Sequence, residues 1–178
     1  FDGKLDVAFA PMAVVLTLED EIDISRGDMI ATPNNAPSLA NNVEAMIVWF
    51  DEKPLTSGQS FLIKQTSAQT STTVADLRYR TNVGTLRRES APQLNMNEVG
   101  RIQLECARPL AADAYQKNRG TGAFILIDRM SNATVGAGMI VERKIAKDAL
   151  ARRSDSHDAR SNVRLHDKRK VSADQRQQ

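Results

Sequence analysis

The chain has 178 residues, of which 41% are hydrophobic and 4% aromatic, and its single cysteine, Cys106, excludes an internal disulfide framework. The length is sufficient for one full domain with a core, and no apolar run approaches the roughly 18 residues of a membrane span. The net charge of +2 conceals an asymmetry, because residues 1–140 carry −3 and residues 141–178 carry +5. This change predicts a folded part followed by a basic segment of different character.

The first 38 residues contain an extended segment and an acidic loop. Residues 13–18 are apolar and compatible with a strand, and the loop "EDEIDISRGD" places Gly27 where a tight turn needs a glycine. Acidic side chains in this loop could hold a hard cation, but a solvated surface turn is the preferred interpretation. They are Glu19, Asp20, Glu21 and Asp23. Residues 1–30 are too short to close by themselves and are interpreted as a partial β module.

Six extended segments separated by polar turns follow residue 42. Pro54 and Gly58 supply the turn between the first two, and helical periodicity is weak throughout. Six strands with polar turns predict a small antiparallel barrel or sandwich. The segments are residues 43–50, 60–65, 70–80, 98–107, 123–128 and 133–141.

The stretch "FILIDRMSNATVGAGMI", residues 124–140, is typical of a β-hairpin. Residues 124–127 form a short apolar strand, and the polar residues 128–132 supply the turn. Gly136 and Gly138 are two apart and therefore lie on the same face, where missing side chains permit close approach or sharp curvature. That favours the wall of a closed barrel. A phosphate-binding glycine loop is disfavoured because no helix start follows.

Residues 148–178 contain very few large apolar side chains and cannot bury enough surface to offset their ordering entropy. We expect a flexible, solvated linker that trypsin cuts rapidly. A basic tail could also bind nucleic acid, but no aromatic residues interleave the charges here for base stacking.

The sequence lacks the residues that most chemistry needs. It has no G-x-x-x-x-G-K-[ST], D-x-x-G or N-K-x-D motif, and both histidines, His157 and His166, lie in the tail. Cys106 has no sequence-adjacent base and is interpreted as a core residue. We therefore predict no catalytic, cofactor-binding or metal-binding residue in this chain, and no hydrolysis of GTP or ATP by it alone. One cysteine and no signal sequence predict a cytoplasmic location.

Several blocks carry a family resemblance. "DEIDISRGDMI" (20–30) resembles the end of the second domain of translation-factor-type GTPases, and "TVGAGMI" (134–140) resembles the closing strand of their third domain, as in elongation factor Tu. "LEDEIDISRGDM", "VWFDEKPLTSGQSFLIK", "ADLRYRTNVGTL" and "YQKNRGTGAFILIDRMSNATVGAGMI" together resemble the large, GTPase subunit of bacterial sulfate adenylyltransferase. The four blocks stand in the family's order and cover residues 1 to about 141.

The tail "SNVRLHDKRKVSADQRQQ" is similar to the segment upstream of the phosphate loop in adenylylsulfate kinases, which in some bacteria are fused behind the GTPase subunit. The basic "DKRK" (167–170) departs from that pattern. The resemblance implies three parts: the end of a domain-2-like barrel (1–38), a six-stranded domain-3-like barrel (39–141), and a linker to a kinase domain (142–178).

In this family the GTPase domain precedes the barrels and holds GTP and magnesium, whereas a small catalytic subunit transfers adenylyl from ATP to sulfate. The resemblance therefore implies a scaffold fragment of a GTP-coupled nucleotidyltransferase, with the small subunit, its own GTPase domain and the fused kinase as partners, and no nucleic acid or membrane. Two alternatives stay open. One is the same barrel pair from another translation-type GTPase that handles tRNA, which the net acidic charge of residues 1–140 disfavours. The other is a stand-alone binding module.

Candidate interface residues come from two places where long polar or aromatic side chains stand at strand ends. They are Arg78, Tyr79 and Arg80 in one segment, and Arg129 and Met130 in the hairpin turn. An ordinary strand and an ordinary solvated turn are the competing interpretations.

Overall fold

The computed structural model describes residues 5–9 and 11–141 of the chain. These residues contain nine strands, one short 3-10 turn at Pro33–Asn35 and one short helix, α1, at Arg119–Gly122. The strands are β1 (Ser38–Trp49), β2 (Leu55–Thr56), β3 (Ser60–Gln65), β4 (Ala68–Thr81), β5 (Arg88–Glu89), β6 (Gln93–Leu94), β7 (Val99–Ala112), β8 (Ala123–Ile127) and β9 (Thr134–Ile140).

Six strands close into an antiparallel barrel. The order is β3-β8-β9-β1-β7-β4, and β4 pairs again with β3, from Ser60 opposite Thr73 to Gln65 opposite Ala68. Closure leaves no free edge among these strands. β5 extends the end of β4, and β2 and β6 form a separate two-stranded pair. The predicted six-stranded antiparallel barrel is confirmed.

Alternate residues of each strand fill the barrel, as the period of a half-buried strand requires. On β1 the inward residues Val43, Ala45, Ile47 and Trp49 are buried, while the residues between them are partly exposed. Cys106 on β7 lies in the same core, and its thiol contacts Thr72 Oγ1 at 3.6 Å. Burial raises the pKa of Cys106, so the thiol stays protonated and packs as a small core side chain.

The two ends of the barrel differ. At one end Gln65 is buried and its Nε2 donates to the carbonyls of Ala111 and Thr121, at 2.9 Å and 2.6 Å, which ties β3 to β7 and α1. At the other end lie the turns formed by residues 50–59, 82–98 and 128–132, and we call this end the loop end. Gly58 has φ +88°, as a tight turn there requires.

Several sequence-based strand predictions need correction. The predicted strand at residues 13–18 is wrong: these residues form no strand and their side chains are exposed. A strand needs a hydrogen-bonding neighbour, and the described residues supply none to this segment. Gly27 has φ +107° in the predicted turn. β1, β4 and β7 extend beyond their predicted bounds; β7 continues past Pro109, which lies where its register with β1 shifts.

The predicted linker, residues 142–178, lies outside the described residues, and so do His157 and His166. Within residues 5–9 and 11–141, no helix has the length and apolar character needed to cross a membrane.

Candidate functional site

Arg78, Tyr79 and Arg80 lie near the end of β4, and their side chains serve different contacts. Arg78 is half-exposed, with an ion pair to Asp76 at 2.9 Å and a hydrogen bond to Gln103 Oε1 at 2.6 Å. Both contacts lie on the outer surface of the barrel, where an ion pair contributes little to stability. Arg78 is therefore available to a partner at small cost.

Arg80 is the centre of an ion-pair network. Its guanidinium donates to Glu89 at 2.7 Å and to Glu98 at 2.7 Å, and Glu89 also accepts from the side-chain amide of Asn82. The second oxygen of Glu98 accepts from the backbone N–H of Asn95. Arg80 thus joins β4 to the middle and to the end of the 82–98 segment, and its first role is to hold that segment in place.

Tyr79 lies on the outer face of the barrel beneath the side chain of Arg88. The guanidinium carbon of Arg88 is 4.9 Å from the ring centroid, a cation–π distance, and the tyrosine hydroxyl points to Met46 Sδ at 3.8 Å. Beside it Arg101 donates to Glu44 at 2.7 Å. The pair of Tyr79 and Arg88 is a second attachment of the 82–98 segment to the barrel wall.

Arg129 and Met130 lie at the tip of the β8–β9 turn. Asp128 Oδ1 accepts from the backbone N–H groups of Met130 and Ser131 and from the Ser131 hydroxyl, and Asn132 has φ +57°. These hydrogen bonds hold the pKa of Asp128 below its usual range, and the bond from the Ser131 backbone N–H has the largest effect. The predicted turn is confirmed, and it displays Met130 with 91% of its surface exposed.

Residues 78–80 and the turn at residues 128–132, the two predicted groups, lie at the same end of the barrel but do not contact each other through hydrogen bonds or ion pairs in the described residues. The end of β4 pairs with Val99 of β7, Val99 pairs with Val48 of β1, and β9 begins beside Trp49, directly after the 128–132 turn. No hydrogen bond or ion pair among the described residues links the turn to residues 78–80. The loop end therefore carries both candidate groups on separate strands.

Sequence reasoning missed the segment at residues 82–88, which is the loop between β4 and β5 together with Arg88, the first residue of β5. Val83 and Leu86 are exposed there by 70% and 78%, and Leu86 has φ +55°. Asn82 accepts from the backbone N–H groups of Gly84 and Thr85, an Asx turn. The order Asn-x-Gly could have predicted this turn, but nothing local predicts a leucine in the left-handed region.

A shallow apolar groove of about 530 Å³ lies on the outer face of β8 and β9. Its lining includes Val48, Ile125, Ala137 and Met139, with Lys64 and Tyr115 among its polar side chains. In the described part of the chain, no cluster of histidine, cysteine or carboxylate side chains could hold a metal ion. The acidic side chains of residues 19–23 are exposed and form no such cluster.

We expect acid to weaken the Arg80 network. Hydrogen bonds from Arg80, and then from Asn82, lower the pKa of Glu89. A carboxyl group with a lowered pKa stabilises the fold above its unfolded-state pKa, and this contribution disappears as the pH falls through the folded-state pKa. Glu89→Gln should therefore lower the free energy of unfolding at pH 7 and have little effect near about pH 3, as measured by urea unfolding at both pH values.

Glu52→Gln is the matched control, because Glu52 is exposed and has no ion pair among the described residues. It should leave stability unchanged at both pH values. An equal cost of Glu89→Gln at the two pH values would contradict the role assigned to the ion pair.

A family model described as GTP-eEF1A C-terminal domain-like matches residues 42–141, which include nearly all of the barrel. The chain belongs to this family. The chain is also similar in structure to the crystal structure of sup35 complexed with GDP, with a TM-score of 0.56 and 20% sequence identity. The match covers 62% of this chain and 27% of that chain. At that identity the likeness shows the fold alone.

Relatives with higher sequence identity confirm the resemblance of this chain to large subunits of sulfate adenylyltransferase. Sulfate adenylyltransferase subunit 1 of Bacteroides fragilis is 47% identical over 148 residues, covering 83% of this chain and 31% of that protein. The bifunctional enzyme CysN/CysC of Rhodopirellula baltica is 46% identical over 169 residues, covering 92% and 26%. The chain thus spans about a quarter to a third of these relatives.

Proposed function

We propose that the chain is the barrel region of the large subunit of a sulfate adenylyltransferase. The observation that carries this proposal is the 47% identity to a protein named as subunit 1 of that enzyme, extending over 83% of the chain. In the complete protein, the reaction is the formation of adenylylsulfate from ATP and sulfate, coupled to hydrolysis of GTP. GTP and magnesium bind a GTPase domain outside this chain, and ATP binds the small catalytic subunit.

The barrel serves this enzyme as a scaffold and as a contact region for the small subunit. A closed barrel with a continuous apolar core moves as one body, which suits a part that is repositioned between nucleotide states. Arg78, Tyr79, Arg80, Arg129 and Met130 are the proposed interface residues. Met130 and Arg129 at the exposed turn contact the partner directly, whereas Arg80, held by two carboxylates, positions the segment beside it.

The segment before the barrel is proposed to be the end of a domain-2-like barrel, and residues 142–178 a linker to an adenylylsulfate kinase domain. The name of the Rhodopirellula baltica relative, a bifunctional enzyme whose match covers 92% of this chain, supports the fused arrangement. We place the enzyme in the cytoplasm, in agreement with the single buried cysteine.

Binding of tRNA is the weaker alternative. A barrel that binds tRNA needs free cationic side chains along one face. Here three of the four arginines of β4 and β7 have a carboxylate partner: Arg78 with Asp76, Arg80 with Glu89 and Glu98, and Arg101 with Glu44.

The proposal predicts that the purified chain competes for the small subunit. By itself the chain should hydrolyse neither GTP nor ATP above background, because it has no phosphate-binding motif. Added in excess to the reconstituted two-subunit enzyme, it should reduce GTP-stimulated pyrophosphate release, because it occupies the small subunit without supplying the GTPase domain. The measurement is pyrophosphate release from ATP and sulfate as a function of chain concentration.

The double variant Arg129→Glu, Met130→Asp tests the interface within that experiment. It should remove most of the inhibition, because it reverses a charge and buries a carboxylate at the contact. Full inhibition by this variant would exclude the turn from the interface. Absence of inhibition by the unchanged chain, at concentrations that saturate any specific contact, would contradict the subunit-contact role itself.

A further inference from the structure

The loop at residues 82–88 presents apolar side chains to solvent in a fixed geometry. Val83 is 70% exposed and Leu86 is 78% exposed. Leu86 has φ +55°, a conformation that is uncommon for a bulky residue and that persists only where surrounding contacts impose it. We call residues 82–88 the apolar knob.

Hydrogen bonds hold the apolar knob from within. Asn82 Oδ1 accepts from the backbone N–H groups of Gly84 and Thr85, at 3.0 Å and 3.1 Å. The backbone carbonyl of Asn82 accepts from Leu86 N at 2.7 Å, and the carbonyl of Arg87 accepts from Asn82 N at 2.9 Å. The backbone is therefore committed to the geometry that exposes Leu86.

Two further contacts attach the apolar knob to the barrel. Asn82 donates to Glu89 at 2.9 Å, and Glu89 is held by Arg80 of β4 at 2.7 Å. Arg88 lies over the ring of Tyr79, with its guanidinium carbon 4.9 Å from the centroid. Tyr79 and Arg80 thus form the base on which the loop stands, so that little ordering entropy remains to be lost on association.

The charge of the apolar knob identifies the chemistry of its partner. It contains Arg87 and Arg88 and no acidic residue, and neither arginine has a carboxylate partner among the described residues. An exposed leucine beside an unpaired arginine fits an apolar pocket rimmed by carboxylates, where the leucine is desolvated and the guanidinium is paired.

We infer that the apolar knob is a docking element that inserts Leu86 into an acidic-rimmed apolar pocket on the small catalytic subunit, an inference that rests on the proposed function. The loop is rigid and exposed before any partner arrives, as a contact between separately folded subunits needs. Its backbone strain is retained because an apolar side chain is required at a position where asparagine or glycine would be more stable.

Leu86→Asn in the complete large subunit separates docking from stability. Asparagine tolerates the left-handed conformation better than leucine, so the melting temperature should stay equal or rise. The dissociation constant for the purified small subunit should nevertheless increase by about tenfold or more, because the apolar anchor is lost. Arg87→Glu should weaken binding most at low salt, because it places a carboxylate against the acidic rim.

Leu39→Asn is the matched control, since Leu39 is 67% exposed and lies on β1 at the opposite end of the barrel. It should change the dissociation constant by less than about twofold. Binding is measured by titrating labelled small subunit with each variant, and stability by thermal unfolding of the large subunit alone.

Each remaining outcome overturns the inference in a distinguishable way. Unchanged affinity of Leu86→Asn, with normal binding by the unaltered protein, excludes the docking element and leaves the proposed function intact. Unchanged affinity accompanied by altered GTP turnover of the large subunit alone would mean that the loop contacts the protein's own GTPase domain. Failure of the unaltered large subunit to bind the small subunit would overturn both the docking element and the proposed function.

Discussion

Replacement of Trp49 by alanine is expected to lower the free energy of unfolding of the chain by about 4 kcal/mol, within the range measured when large aromatic side chains are removed from cores. Trp49 ends β1 and is 1% exposed. Its ring meets Phe61 edge to face, with centroids 5.5 Å apart. The loss would be a large share of the roughly 5–15 kcal/mol typical of a domain, so a clear fall in the urea midpoint is expected.

Trp49 also organises the loop end. Its indole N–H donates to the carbonyl of Lys53 at 2.7 Å, its backbone N–H to the carbonyl of Glu98 at 3.0 Å, and its carbonyl accepts from Asn97 at 2.8 Å. Trp49→Phe keeps an aromatic ring at this position, and removes the indole donor together with part of the ring volume. Its cost should be about 1–2 kcal/mol, because Lys53 is exposed and water can replace part of the lost bond.

Urea unfolding followed by far-ultraviolet circular dichroism measures both variants, since Trp49 is the chain's only tryptophan and its fluorescence is lost with it. Similar costs for Trp49→Phe and Trp49→Ala would show that the hydrogen bond, and not the volume of the ring, is the main contribution. A cost below about 1 kcal/mol for alanine would contradict the packing described above.

A second large effect is expected from Gly138→Ala, about 3 kcal/mol of destabilisation, at the upper end for overpacking. Gly138 lies directly opposite Phe124 on β8, and a methyl group added at Gly138 would lie 2.2 Å from Phe124 Cζ. The aromatic ring crosses the glycine on the inner face of the barrel, which is a common device for stabilising a glycine in a curved sheet. Either the ring or the strand must therefore move.

A double-mutant cycle with Phe124→Leu tests this explanation. Leucine shortens the side chain that blocks the added methyl group, so the double variant should be more stable than the sum of the two single costs predicts, by about 1 kcal/mol or more. Gly120→Ala is the control, because its added methyl group would meet only Asn118 Oδ1 at an ordinary 3.4 Å. Additive costs in the cycle would mean that Gly138 is required for some reason other than the ring of Phe124.

Much of the fold was predictable from local patterns. Extended segments separated by polar turns located the six barrel strands, because strand-compatible runs and the turns that end them are local features of the chain. Turns were located by residues whose backbone preferences are intrinsic, such as Gly27, Gly58 and the run from Asp128 to Asn132. Prediction failed at residues 13–18, where a strand-compatible sequence has no neighbour to pair with among the residues that the structure describes.

The place of the candidate interface residues in the fold was predictable, but the contacts that they make were not. Residues 78–80 and the 128–132 turn lie at the same end of the barrel. Antiparallel pairing places the end of β4 and the turn between β8 and β9 at this end. However, Arg80 contacts Glu98, which is 18 residues away in the chain, and the sequence contains no signal for that ion pair. The conformation of Leu86 was equally hidden, because it is imposed by Asn82, Glu89 and Arg80 together.

The sequence by itself determined the extended segments, the turns and, through its quoted motifs, the family, because each of these is encoded by residues close together in the chain. Only the tertiary structure decided how β3 pairs with β8 and β1 with β7 in the closed barrel, and that Arg101 is paired with Glu44, 57 residues away in the chain. These features depend on contacts between residues far apart in sequence, and such contacts exist only after the strands have found their partners.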